Sequence, residues 1–423
     1  MPCQRSINAG MRNMFSWSER HVSPGWRTGA WLCVVVFVAL NLRPSLTSIS
    51  PLLNDIRSAV GLGFQMAGML TTLPVVCMGV LALFSAQVET RLGEGRGIAL
   101  GLLCILLACA LRGMVHSSLV LLLTALISGV GIALIQVLMP GLIKRRFVGR
   151  VALAMGIYSA ALMSGGGLAA WFSPQLSNHF GHWQIGLEVW ALPALIGLLL
   201  WVRTPWRAAQ LLPAEHRLSR FVRNKRAWTL AVYFGFSNCG YMAVVAWLPA
   251  YYQHLGWSSQ NSGLLLAWMT LFQVIAALGM PALAQHMRER RGLLSISLMA
   301  QLLGFAGLLL APQQLPGLWI AFIGFGLGAC FALCLLLSLD HVQEPIAAGQ
   351  LAAFVQGVGF LINALAPAAG GWLRAYTGGF SATWLLMLIC IIVMLVLTQR
   401  LSPGSYWRIS SNRQQPGDAA RRE

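Results

Sequence analysis

Asn41-Leu42-Arg43-Pro44 lies within an apolar run, about 29–51, that holds no other formal charge. An arginine at mid-membrane depth costs several kcal/mol or more and is seldom placed there without a task. Its guanidinium stays charged at every accessible pH and presents a planar fork of donors, which suits a small anion. Pro44 lacks an N–H and clashes with the preceding turn, so a helix kink is expected beside the charge. Two readings of Arg43 stand. In one it binds an anionic substrate at the centre of a transporter; in the other it pairs with polar groups of a neighbouring helix.

The rest of the chain fits a membrane setting. It is 57% hydrophobic and 9% charged, against about 25% charged in an ordinary soluble domain. A net charge of +18 is of the kind nucleic-acid binders carry, but the basic residues sit in short loops between apolar runs. Charge placed that way sets membrane topology, and no nucleic-acid partner is expected. Eight of the nine cysteines fall inside apolar runs and show no metal-ligand spacing, so neither disulfides nor a metal site is expected. Cys330 and Cys334, one turn apart, read as packing residues.

Twelve runs reach the roughly 20 apolar residues a span needs. They cover 29–51, 64–87, 97–115, 118–143, 150–174, 184–203, 228–252, 260–285, 293–311, 316–339, 348–373 and 379–399. With the N-terminus inside, 25 of the 29 Lys and Arg fall in cytoplasmic segments and three (Arg57, Arg112, Arg374) in outer ones; Arg43 is the remainder. That asymmetry places both termini inside. The segments are a leader over 1–28, a six-helix half over 29–203, a linker over 204–227, a second half over 228–400 and a tail over 401–423. The leader is polar and basic, and Met11 or Met14 is a candidate start.

The halves repeat. A shift of 195 residues carries Gly68 onto Gly263, Glu94 onto Glu289, Arg96 onto Arg291, Gly129 onto Gly324 and Gly131 onto Gly326. Two parallel six-helix repeats describe the major facilitator architecture, an all-α membrane fold with its substrate near the midplane. The charged turn Arg91-Leu92-Gly93-Glu94-Gly95-Arg96 reads either as a latch between helix ends or as a positive-inside turn. Ser164-Gly165-Gly166-Gly167 lacks a preceding strand, so it reads as helix packing and not as a phosphate loop. No nucleotide-binding or catalytic motif appears, and neither a cofactor nor an enzymatic activity is expected.

Candidate polar groups for a central cavity are Gln136, Tyr158, Asn238, Tyr241, Gln273, Gln356 and Asn363. Asn238 and Tyr241 are three apart on a helix and share a face. Span 7 is the counterpart of span 1, which sets this pair across the cavity from Arg43. Asp340 and His341, ending span 10, read as a proton-handling pair, an inner gate or a plain helix end.

Several stretches carry a likeness: Asn41-Leu42-Arg43-Pro44, Leu70-Thr71-Thr72-Leu73-Pro74, Pro140-Gly141-Leu142-Ile143-Lys144-Arg145-Arg146-Phe147, Ala246-Trp247-Leu248-Pro249-Ala250 and Leu339-Asp340-His341. The chain resembles the cyanate transporter family of the major facilitator superfamily. The resemblance implies an inner-membrane carrier of a small linear anion. Glu188 falls where that family is apolar and is left out of the site. The expected carrier is a monomer in the lipid bilayer, moving cyanate or a similar monovalent anion by alternating access, with a proton as a possible coupling ion. Arg43, Asn238, Tyr241, Gln356, Tyr158 and Gln136 would bind substrate, and Asp340 and His341 would couple or gate. Export of nitroimidazole-like aromatics, stacked on Trp247 and Trp268, is the alternative.

Overall fold

The computed structural model describes residues 25–147, 150–204, 219–284, 287, 289–342 and 345–401. Most of the leader, linker and tail, with both candidate starts, lies outside the described residues. Among the described residues, twelve helices are long and apolar enough to cross a membrane. They run Gly29–Val60, Phe64–Leu83, Glu94–Arg112, Ser118–Arg146, Leu153–Phe180, Trp183–Arg203, Lys225–His254, Ser259–Ala284, Arg291–Leu310, Pro316–Asp340, Ala347–Thr377 and Ser381–Thr398, and are called spans 1–12. The helix of span 7 begins at Lys225, three residues before the expected 228, because the Asn224 side chain accepts the backbone N–H groups of Arg226 (2.9 Å) and Ala227 (3.2 Å).

Span 1 extends nine residues past the expected end at 51, and span 11 is broken at Ala364. The polar residues Asn54, Asp55, Arg57 and Ser58 end the apolar run, but the chain stays helical through Leu53–Val60 and closes on Gly61 at φ 68°. That left-handed conformation carries no Cβ penalty for glycine.

The pseudo-repeat is visible in matched helix crossings. Gly68 brings span 2 against span 11, where a Cβ would stand 2.7 Å from the Pro367 carbonyl oxygen. Its counterpart Gly263 brings span 8 against span 5, where a Cβ would meet the Ala170 carbonyl and stand 3.2 Å from Pro174 Cγ. Small residues let backbones approach where lipid supplies no hydrophobic drive between helices. The charged turns are latched in both repeats, with the sign of charge exchanged. Arg145, ending span 4, pairs with Glu89 (3.0 Å) and with Glu94 of the 2–3 turn. Asp340, which the 195-residue shift places on Arg145, pairs at 3.0 Å with Arg290 of the 8–9 turn. The latch reading of these turns therefore has direct contacts behind it.

Among the described residues, hydrogen bonds between the halves lie near mid-membrane or toward the face opposite the termini. Thr72 Oγ1 donates to the Ala364 carbonyl at 3.1 Å. Farther out, Ser50 Oγ donates to the Ala246 carbonyl (3.2 Å), Asn54 Nδ2 to Gln253 Oε1 (2.8 Å) and Gln253 Nε2 to the Pro51 carbonyl (2.7 Å). Trp247 fills the same closure: it is fully buried, packs against Phe64 and Phe380, and donates to the Pro367 carbonyl at 3.1 Å.

Candidate functional site

The first span breaks where the sequence predicted. Regular helix ends at Leu40 and resumes at Pro44. Between them Asn41 and Leu42 make tighter bonds, to the carbonyls of Val38 (3.2 Å) and Ala39 (3.1 Å). Asn41 Nδ2 supplies bonds the break removes, donating to the Phe37 carbonyl at 2.7 Å and across to the Pro193 carbonyl of span 6 at 3.0 Å. The glycine cluster of span 5 packs onto this break. Gly165 faces the Leu40 carbonyl, Gly166 faces Arg43 Cβ, and Thr47 Oγ1 donates to the Gly166 carbonyl at 2.8 Å. The packing reading of that cluster holds, and its partner is the arginine segment itself.

Arg43 is 7% exposed, and its Nε and Nη1 have no protein hydrogen-bond partner. Its Cζ lies 5.0 Å from the centroid of the Tyr241 ring, a cation–π contact from the second half. Tyr158 of span 5 is within electrostatic reach of Arg43, and its buried hydroxyl is also unpartnered. The guanidinium therefore has one face covered by an aromatic ring and its Nε–Nη1 edge bare. A buried donor edge left unsatisfied costs free energy, and an anion lying along that edge relieves the cost with two charge-assisted bonds. Neither Nε nor Nη1 makes the bond to a neighbouring helix that the structural reading of Arg43 expects.

The structure thus sets Tyr241 against Arg43, with the unpartnered Tyr158 hydroxyl in the surrounding field. Asn238, which the 195-residue shift places on Arg43, is 4% exposed, and its Nδ2 turns back to the Phe234 carbonyl at 2.8 Å. Gln136 carries a buried, unpartnered Oε1, as does Asn363 at its Oδ1. Gln356 is half-buried beside Gly357, where span 11 meets Leu83 of span 2. Among the described residues no hydrogen bond joins Gln136, Gln356 or Asn363 to Arg43.

Two expectations are corrected. Trp247 and Trp268 do not form a shared stacking wall. Trp247 is sealed in the closed face, and Trp268 is 43% exposed, beside Phe272 in an apolar cleft of about 910 Å³ between spans 8, 9 and 10. Arg112, counted with the outer segments, is fully buried. Its Nη1 donates to the Ser45 carbonyl at 2.7 Å and its Nε to Thr124 Oγ1 at 3.2 Å, so it holds the chain just beyond the Arg43 break. Its position at the end of a hydrophobic run made it look like a topology charge.

Asp340 and His341 do not bond to each other; each is engaged by a different arginine. Asp340 pairs with Arg290, while His341 Nδ1 bonds the Leu337 carbonyl at 2.7 Å and Nε2 accepts from Arg226 Nε at 3.2 Å. Burial lowers the imidazole pKa from its usual 6.5 to about 4; the Leu337 bond and Asp340 oppose that shift, and Arg226 adds to it. The folded state therefore binds fewer protons than the unfolded state between those two values, and stability falls as pH drops through that window. We expect a loss of roughly 2 kcal/mol between pH 6.5 and 4, flattened in His341→Asn. Thermal unfolding of both proteins across this range checks it; parallel profiles would contradict it.

Residues 30–362 match the Major Facilitator Superfamily. The chain is 46% identical over 376 residues to the cyanate transport protein CynX of Escherichia coli (strain K12), covering 88% of this chain and 97% of that one. It is 31% identical over 377 residues to the 2-nitroimidazole transporter of the same organism, covering 88% and 94%. In fold it is similar to a bacterial homologue of the human lysosomal transporter Spinster, solved inward-facing and unoccupied. That match has a TM-score of 0.71 at 15% identity and covers 93% of this chain and 100% of that one. A twelve-span chain with a buried arginine between two repeated halves, matched to this extent, belongs to the Major Facilitator Superfamily and within it to the family of the cyanate transport protein.

Proposed function

We propose that this protein carries cyanate or a similar small monovalent anion across the inner membrane by alternating access, with both termini cytoplasmic. The observation that carries the reading is the buried Nε–Nη1 edge of Arg43, bare of protein partners while Tyr241 covers the ring-facing side. The 46% identity to a cyanate transport protein supports the same substrate class. Lysine and arginine crowd the face that carries the termini, which supports the cytoplasmic assignment. On that orientation the hydrogen bonds among Ser50, Asn54, Ala246 and Gln253 close the outer mouth. Tyr241 and Tyr158 line the anion, with Asn238, Gln136 and Gln356 as further polar groups. The ties of Arg290 to Asp340 and Arg226 to His341 brace the inner ends of the second half, where the two halves part and meet. If His341 carries a coupling proton, His341→Ala loses uptake driven by a pH gradient and keeps exchange.

The test is labelled-cyanate flux into proteoliposomes. We expect saturable uptake above protein-free vesicles, insensitive to excess 2-nitroimidazole. Saturable 2-nitroimidazole flux without cyanate flux would transfer the assignment to the other relative's substrate.

A further inference from the structure

We propose that Arg374, with Arg57 beside it, forms a second anion site at the closed outer mouth, taking the same class of small monovalent anion as Arg43. This inference rests on the anion reading of the central site and extends it. The mouth is built from the end of span 1, the start of span 2, the end of span 11 and the start of span 12. Arg57 Cζ lies 3.4 Å from the Phe64 ring centroid, and Arg374 Cζ lies 4.9 Å from that ring and 4.6 Å from Phe380. The two guanidinium carbons are therefore at most about 8 Å apart, and the groups feel each other's charge.

Two like charges this close, partly withdrawn from water, repel each other. No carboxylate compensates them: among the described residues, ion pairs join Arg145 with Glu89 and Glu94, Arg290 with Asp340, and Arg291 with Glu289, all at the other face. Asp55, two residues from Arg57, pairs with neither guanidinium, and the titratable rings packed against Phe380 are exposed His254 and buried Tyr251, whose hydroxyl donates to the Leu308 carbonyl at 2.8 Å. Arg57 uses its Nε on the Leu62 carbonyl at 2.9 Å. Arg374 uses nothing. Its Nε and Nη1 are buried without a partner, while Phe64 and Phe380 cover the guanidinium.

That is the arrangement at Arg43: an aromatic ring against the guanidinium and a bare, buried Nε–Nη1 edge. The edge offers two parallel donors, which match an anion with adjacent acceptors or an elongated charge. Arg57 supplies the second positive charge that desolvation of the anion requires. Arg374 comes from the second half and Phe64 from the first, so the site exists only while the mouth is closed.

The test is calorimetric titration of sodium cyanate into the full-length protein in nanodiscs. We expect two sites per chain in wild type, one in Arg43→Gln, one in Arg374→Gln and none in the double variant. A single site that survives Arg374→Gln and is lost in Arg43→Gln would overturn the second site while leaving the central one. A single site lost in Arg374→Gln and indifferent to Arg43→Gln would do the reverse. If Arg374→Gln does not yield monodisperse protein, Arg374→Lys keeps the charge on the aromatic pair and removes the fork. Its outer site should weaken at least tenfold; an unchanged affinity would overturn the proposal.

Discussion

Arg43→Gln is expected to lower cyanate flux at least about 100-fold without lowering the melting temperature. Each hydrogen bond to a charged group contributes about 1.5–3 kcal/mol, and the bare Nε–Nη1 edge offers two. Losing both, with the charge, corresponds to at least two orders of magnitude in affinity or rate. Stability should move the other way. An unpaired buried cation is costly, and Arg43 makes no hydrogen bond from Nε or Nη1 to protein, so the fold loses little when glutamine replaces it. Arg43→Lys keeps charge near Tyr241 but loses the planar fork, and should fall at least about tenfold. Flux of each variant in proteoliposomes, read beside thermal unfolding, separates the roles. A flux loss that tracks a fall in melting temperature would mean that Arg43 holds the fold together. Wild-type flux in the lysine variant would remove the fork from the mechanism.

Gly165→Val is the second large effect, and it acts on the backbone. Pro44 has no N–H to give, so the Leu40 carbonyl four residues earlier loses its usual helical donor. Span 5 lies directly on that carbonyl at Gly165, and the next residue, Gly166, takes Arg43 Cβ, where an added Cβ would stand 3.1 Å away. At Gly165 the obstructing atom is backbone, which cannot swing aside as a flexible side chain can. Overpacking of this kind costs about 1–3 kcal/mol. We expect Gly165→Val to lower the melting temperature and reduce flux at least tenfold, because moving span 5 shifts Tyr158 relative to Arg43. Gly165→Ala should fall between. Unchanged melting and flux in the valine variant would show that the span 1–span 5 contact is loose.

The positions of the spans could be read from the sequence because the bilayer is a simple solvent. Its thickness demands about 20 apolar residues per helix, and lysine and arginine mark the loops one by one. The break at Asn41–Pro44 could be read for a similar reason: proline removes a helical bond wherever it sits. Arg43 stood out because a charge inside an apolar run has no cheap explanation. The twelve apolar runs and the 195-residue repeat were enough for the fold class, and residues 41–44 for the place where the first span breaks.

The partners of these residues belong to the tertiary structure. Tyr241 meets Arg43 while Asn238, three residues away, turns its amide back onto its own helix at Phe234, a choice set by packing that spacing alone does not encode. Asp340 and His341 are adjacent in sequence yet bond to arginines from different segments, the 8–9 turn and span 7, because neighbouring residues at a helix end point in different directions. Arg112 reads as a loop charge and turns out fully buried, clasping Ser45. Arg57 and Arg374 are more than 300 residues apart and become neighbours only when two halves close on Phe64. Hydropathy and chain chemistry act along one helix at a time, so the sequence by itself determined which segments cross the membrane and where the first one breaks. Which side chains share a guanidinium depends on how helices rotate and cross, and only the packed structure decided that.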